Sequence, residues 1–230
     1  MYIMIQQKQS AHNHPDIETG FNTTEEVNKV TAEVYDAETS ESGWDSPERA
    51  QRLVEQYVHD GSVVLDIGIG TGQAVRGYVE KGAAIVGLDH DLDMLTVAES
   101  LTGKSGLMRQ ADINERLPID DLAGTVDVAQ AIGVLEFAED LGGVVEQVRQ
   151  TLVSGGVFVF TVETLANTFE DSTQQYAELM IHRHTADEIR KLLRDKGFGL
   201  LYDEAYGGYE RGDTATEKVP YHIFLAQKQN

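Results

Sequence analysis

Val63-Val64-Leu65-Asp66-Ile67-Gly68-Ile69-Gly70-Thr71-Gly72-Gln73 is a short apolar run that breaks into three glycines at alternate positions. The apolar part has the length and β-branched content of a buried strand, and the residues after the glycines read as the start of a helix. Glycine at such a junction lets the backbone turn sharply and lets a ligand approach the main chain with no Cβ in the way. In an open α/β sheet, ligands sit at the carboxyl ends of strands. This loop is therefore the first candidate site.

Outward from the loop, strand-like runs over Ser62–Ile67, Ala84–Leu88, Gly106–Gln110, Val126–Ala131 and Val157–Val162 alternate with helical patterns. The helical stretches are Gln73–Lys81, Leu92–Leu101 and Leu141–Leu152. Such alternation predicts βαβ crossovers and a doubly wound, mostly parallel α/β sheet. Upstream, Ser46 is an N-cap candidate with Pro47 at the first helical position, and Ala50, Leu53, Val54, Tyr57 and Val58 form one apolar stripe. Downstream, Thr185 and Glu188 have capping-box spacing, Ile189, Leu192 and Leu193 face inward, and Gly197 stops the helix. Further strands near Leu200–Tyr206 and Tyr221–Gln227 bring the expected count to seven. Residues 46–230 are expected to form this domain. Residues 1–45 are expected to be a polar tail and a helical lid, with Val27, Val30 and Val34 at helical spacing.

The chain has 230 residues, 41% hydrophobic and 25% charged, a globular composition. Its 39 acidic against 18 basic residues leave a net charge of −21. Phosphate backbones and anionic membranes are bound by clustered Lys and Arg, so neither nucleic acid nor a membrane is an expected partner. The absence of cysteine excludes disulfides, thiolate nucleophiles and thiolate metal sites. The N-terminal stretch lacks a basic n-region, and no run approaches the ~20 apolar residues that span a bilayer. A cytoplasmic protein, monomeric or weakly dimeric, is expected.

Details of the glycine loop narrow the ligand. A dinucleotide fingerprint, G-x-G-x-x-G, would need a third glycine where Gln73 stands. Asp66 ends the strand two residues before the loop, and a pyrophosphate there would meet its carboxylate at a cost of roughly 1–4 kcal/mol. A ligand carrying an ammonium and a sulfonium would find the same carboxylate favourable. Asp89 stands 21 residues beyond Gly68 at the tip of the second strand, where an acid accepts hydrogen bonds from both ribose hydroxyls. Asp112 comes after the third strand, so three acids face one edge of the sheet.

Leu65-Asp66-Ile67-Gly68-Ile69-Gly70-Thr71-Gly72, Gly87-Leu88-Asp89, Asp112-Ile113 and Val126-Asp127-Val128 resemble the ordered motifs of the class I S-adenosylmethionine-dependent methyltransferases. The resemblance covers about residues 50–163 and includes the Gly155-Gly156-Val157 turn into the fifth strand. Tyr35-Asp36, Asp89 with Met94-Leu95 and Ala98, Gly133-Val134-Leu135 and Arg183-His184-Thr185 resemble a small-molecule branch. That branch includes the Williams–Beuren-region methyltransferase-like proteins. Ile69 departs from the pattern, since many members have a small residue or Cys there; its contact is expected through backbone.

The resemblance implies S-adenosylmethionine as cofactor, S-adenosylhomocysteine as product and no metal. Asp66 would serve the methionine ammonium, directly or through water, and Gly68, Ile69 and Gly70 would give their backbone to the methionyl part and ribose. Asp89 would hold the ribose hydroxyls, with His90 and Met94 near the adenine. Asp112 would accept from the adenine amino group, the Ile113 amide would face a ring nitrogen, and the Ala131 carbonyl would face the ammonium. Methyl transfer by in-line displacement to a small-molecule acceptor then needs mainly positioning, and no obligatory catalytic residue is implied. Acceptor candidates are Tyr35, Trp44, Glu136 and His182, with His184, Tyr206 and Tyr209. Trp44 also reads as a staple between the N-terminal helix and the sheet. Two other classes stand beside this one: an NAD-dependent reductase, opposed by Asp66 and by the missing glycine, and a non-catalytic cofactor-binding scaffold or sensor.

Overall fold

The computed structural model describes residues 34–37, 39–165, 172–176, 179–210 and 218–230. Strands β1 (Val63–Ile67), β2 (Ala84–Asp89), β3 (Gly106–Gln110), β4 (Val126–Ala131) and β5 (Leu152–Glu163) pair in parallel. Strands β8 (Phe198–Glu210) and β9 (Lys218–Lys228) join antiparallel, giving the order β3-β2-β1-β4-β5-β9-β8. A separate two-stranded sheet holds β6 (Thr173–Tyr176) and β7 (Leu179–His182).

Helices cover both faces, which is why the central strands read as apolar runs rather than alternating ones. Successive residues of β1 point to opposite sides. Leu65 and Ile67 enter a core shared with Val144 and Val148 of α4 (Leu141–Thr151) and Ile189 and Leu193 of α5 (Ala186–Asp195). Val64 enters a second core with Ala50 and Val54 of α1 (Ser46–Val54), Tyr78 of α2 (Arg76–Glu80), and Leu95 and Ala98 of α3 (Leu92–Thr102). A smaller aromatic cluster gathers Trp44, Tyr209 and Tyr221 with Val219. Because β1 pairs β2 on one side and β4 on the other, the strand order reverses beside β1. That switch point opens a crevice above the carboxyl ends of these strands.

Local signals shape several elements. Thr185 and Glu188 close a reciprocal capping box on α5, and Gly197 ends it at φ 73°. At α1 the cap is Asp45, with no side-chain cap bond; Ser46 lies inside the helix and its hydroxyl contacts the Tyr206 hydroxyl instead. The helix expected over 73–81 is a 3-10 turn, Gln73–Val75, followed by the five-residue α2, which carries Gly77 in its interior. Strand β5 begins at Leu152 rather than Val157, because Leu152 pairs with Val126 across a register shift. Of the helix expected over 23–35, all but residues 34 and 35 lies outside the described residues; 34–37 and 39–41 are helical. Among the described residues no helix is long and apolar enough to cross a membrane.

Candidate active site

The loop after β1 is fixed by its own amides. Gly68 and Ile69 both donate to the Leu88 carbonyl, at 2.7 and 2.9 Å, and Gly70 donates to Asp89 Oδ2 at 2.9 Å. Gly68, Gly70 and Gly72 take φ of 74°, 53° and 88°, a region that costs other residues ~1–2 kcal/mol. Their reasons for being glycine differ. A Cβ on Gly68 would stand 2.7 Å from Val134 Cβ, and one on Gly72 would stand 2.6 Å from Leu101 Cδ2. At Gly70 nothing lies within 4 Å, so its bare backbone borders open space.

That space is a cleft bounded by Gly68, Gly70, Asp89, His90, Met94, Asp112, Ile113 and Tyr35, among others. The cleft therefore collects eight of the residues singled out from the sequence. Asp89 braces it by accepting from the amides of Gly70 (2.9 Å) and Asp91 (3.0 Å). His90 Nδ1 lies 3.3 Å from Asp89 Oδ1, and this bond raises the imidazole pKa. Asp112 Oδ1 accepts from the Asn114 amide at 2.9 Å. Asn114 in turn donates to the Phe137 carbonyl at 3.2 Å and accepts from the Glu139 amide at 2.9 Å, tying the loops after β3 and β4 together.

Asp66, Ile69 and Ala131, also expected at the cofactor, are buried and do not line the cleft. Asp66 is buried beside Gln130, whose Nε2 donates to Oδ2 at 2.9 Å, and Tyr78 donates to Gln130 Oε1 at 3.1 Å. Burial pushes the Asp66 carboxyl up to about 7, partly opposed by the Gln130 bond. The buried Ile69 side chain packs over Gly87, where a Cβ would meet it at 2.6 Å. Ala131 is fully buried at the end of β4, and Ile132, Gly133 and Val134 form the wall. Asn114, Leu117, Val134 and Phe137 also line the cleft. Val134 belongs to the Gly133-Val134-Leu135 motif noted in the sequence; Leu117 and Phe137 were not singled out, because apolar loop residues carry no chemical signature.

Of the acceptor candidates, Tyr35 lines the cleft and its neighbour Asp36 latches the segment down. Asp36 accepts from the Thr71 hydroxyl at 2.7 Å and pairs with Arg76, while Gln73 donates to the Thr39 hydroxyl at 3.2 Å. Trp44, Glu136 and His182 do not line the cleft wall. Trp44 packs edge-on against Tyr209 and Tyr221, over Gly133. Glu136 is buried and accepts from the Tyr221 hydroxyl, and burial raises its pKa. His182 is half-buried with its Nε2 enclosed and lacking a hydrogen-bond partner, and burial lowers the pKa of nearby His184. Among the described residues no cluster of three His or carboxylate side chains could hold a metal.

A phosphate cradle presents free amides to its ligand, whereas the amides of Gly68, Ile69 and Gly70 are already engaged with β2. The open backbone of Gly70, the Asp89 carboxylate and the buried Asp66 suit instead a nucleoside with a cationic amino-acid tail. The methyltransferase domain family matches residues 65–160. A ubiquinone biosynthesis O-methyltransferase from Marinobacter nauticus is 30% identical over 192 residues, covering 73% of this chain and 79% of that protein. A methyltransferase, phqN, from Penicillium fellutanum is 27% identical over 156 residues, covering 63% of this chain and 48% of that protein. The chain spans about half the length, 46–55%, of three fungal relatives that it matches. A chain from the complex of the Haloferax volcanii Trm112 methyltransferase activator with a methyltransferase superposes with a TM-score of 0.71. It shares 20% identity and covers 90% of this chain and 98% of that one.

Proposed function

The chain belongs to the class I S-adenosylmethionine-dependent methyltransferases, and from that premise we propose that it methylates a small-molecule acceptor in the cleft above β1 and β4. The observation that carries the reading is the internal engagement of the glycine-loop amides beside an Asp89 carboxylate facing the cleft. When bound, S-adenosylmethionine supplies a methyl group already activated on a sulfonium, so neither a metal nor an obligatory base is required.

The chain's own residues then bind and orient. Asp89 accepts from the ribose hydroxyls with the lone pairs that Gly70 and Asp91 leave available, and Met94 and His90 flank the base. Asp112 and the Ile113 amide take the adenine edge. Asp66 faces the ammonium from beneath, directly or through water, with the Ala131 carbonyl beside it; the positive charge favours the ionised carboxylate. Gly68 and Gly70 admit the ligand close to the main chain. Tyr35 and the Asp36 latch support a lid role for residues 1–45, which would exclude water once the site is filled.

The relative from Marinobacter nauticus, named for ubiquinone biosynthesis, supports a small-molecule acceptor. The net charge of −21 supports the exclusion of nucleic acid and anionic membrane from its partners. The proposal extends to a cytoplasmic protein acting as a monomer or weak homodimer. Calorimetric titration with S-adenosylmethionine and S-adenosylhomocysteine, with NADH and NADPH as controls, tests it. Micromolar binding of the first two alone is expected; binding of a nicotinamide alone would overturn the reading in favour of a reductase.

A further inference from the structure

Asp66 is held by two residues to which the cofactor reading gives no task. The parallel pairing of β1 with β4 sets Asp66 directly across from Gln130, and Tyr78 of α2 reaches Gln130 from the helical layer. All three side chains are buried, on the face of the sheet where Val64 and Val128 enter the second core. Tyr78 donates to Gln130 Oε1 at 3.1 Å, and Gln130 Nε2 donates to Asp66 Oδ2 at 2.9 Å. Among the described residues no donor reaches the other carboxylate oxygen, Oδ1.

Three polar groups in an apolar layer are costly unless each is satisfied, and apolar residues of similar size would fill the same space without that cost. The relay has a direction. An ionised carboxylate only accepts, so the amide must present Nε2 to it; the amide oxygen then faces Tyr78, whose hydroxyl must donate. The trio serves a neutral Asp66 as well. A carboxyl O–H would donate to the amide oxygen once the amide turns over, and Nε2 would then donate to the Tyr78 oxygen. The carboxyl therefore keeps its place in either charge state. Burial and the like charge of Asp89 on β2 disfavour the ionised form, and the Gln130 bond opposes both. The trio stands immediately behind the cleft wall. Ile67 and Gly68, which follow Asp66, line the cleft, as do Ile132 and Gly133, which follow Gln130 and Ala131.

We propose that Gln130 and Tyr78 are positioning residues for the cofactor, their relay committing Asp66 Oδ2 to the interior and leaving Oδ1 and the negative charge for the cationic amino-acid tail. This rests on the cofactor reading above, in which Asp66 serves the ammonium directly or through water. Neither Gln130 nor Tyr78 lines the cleft. Both act through Asp66, so their effect is confined to ligands that carry the ammonium.

S-adenosylhomocysteine carries that tail, and 5′-methylthioadenosine has the same nucleoside and thioether without it. Each is titrated calorimetrically into the unmodified protein, Gln130→Met and Tyr78→Phe in one buffer. Gln130→Met, close in size but without a donor, should bind S-adenosylhomocysteine about tenfold more weakly and methylthioadenosine within about twofold of the unmodified protein. Tyr78→Phe, which frees the amide to turn, should lose about threefold for S-adenosylhomocysteine alone. A merely structural role at the strand ends would weaken both ligands alike. Equal losses for the two ligands, or an unaltered S-adenosylhomocysteine affinity in Gln130→Met, would overturn the proposal. Should that variant fail to fold, Tyr78→Phe decides by the same comparison. Failure of the cofactor reading shows separately, as a lack of binding of either ligand by the unmodified protein, and takes the proposal with it.

Discussion

Replacing Asp66 with asparagine should make the unliganded protein more stable in alkaline buffer while weakening its hold on the cofactor. The carboxyl is 1% exposed and its pKa rises from 3.8 to about 7 on folding. A raised carboxyl pKa means that the folded state keeps its proton where the unfolded state has lost it. The contribution of Asp66 is therefore intact below the unfolded pKa and is lost as pH rises through about 7. The full penalty above pH 8 is ~4 kcal/mol, of which ~3 kcal/mol develops between pH 5 and pH 9. Asparagine keeps an oxygen for Gln130 Nε2 and carries no charge, so the variant should lack this component. Urea unfolding of both proteins at the two pH values gives the double difference, provided the m-values agree. A double difference of ~2–4 kcal/mol is expected. Parallel pH profiles for the two proteins would refute the reasoning, because they would show that the buried carboxyl is not held protonated by its surroundings.

Other consequences are quicker to check. Asp89→Ala should weaken S-adenosylhomocysteine binding by ~1.5–3 kcal/mol in a calorimetric titration, and a change within twofold would mean that the ribose lies elsewhere. Gly68→Ala combines φ 74° with a Cβ 2.7 Å from Val134 Cβ and should destabilise by ~2–4 kcal/mol. Gly61→Ala, at φ 79° with nothing within 4 Å, should cost only ~1–2 kcal/mol by the same denaturation assay. Limited proteolysis should find residues 1–45 cut more slowly when S-adenosylhomocysteine is present, and an unchanged pattern would count against the lid.

The parts of the fold that were legible in the sequence are those whose signal is local. The run Val63–Ile67 into glycine is strand, turn and site in one stretch, and the cap at Thr185 needs only Glu188 to be recognised. Strand β5 was harder to place, because Ser154-Gly155-Gly156 reads as a turn while the pairing of Leu152 with Val126 is decided by a distant strand. The β6–β7 hairpin left no trace for a similar reason, since Thr173–Tyr176 is mostly polar. At the site, acids at strand tips were visible because few residue types can do their chemistry. Much of the cleft wall was not, because Leu117 and Phe137 are defined by where loops meet. Nor could spacing have joined Glu136 to Tyr221, a contact that spans 85 positions.

The tethering of the glycine loop to β2 has a consequence for how binding proceeds in time and in heat. A loop that must order around its ligand forfeits conformational entropy on association, and encounters often fail before it closes. Here three consecutive amides are already engaged with Leu88 and Asp89, so the floor of the cleft is braced before any ligand arrives. Association at that floor should run near the rate set by diffusion and orientation, with differences between ligands expressed in residence time. The same rigidity makes the floor a poor learner. A bulkier cofactor analogue would have to be accommodated on the open side of Gly70, where nothing lies within 4 Å, because the loop itself has no slack to offer.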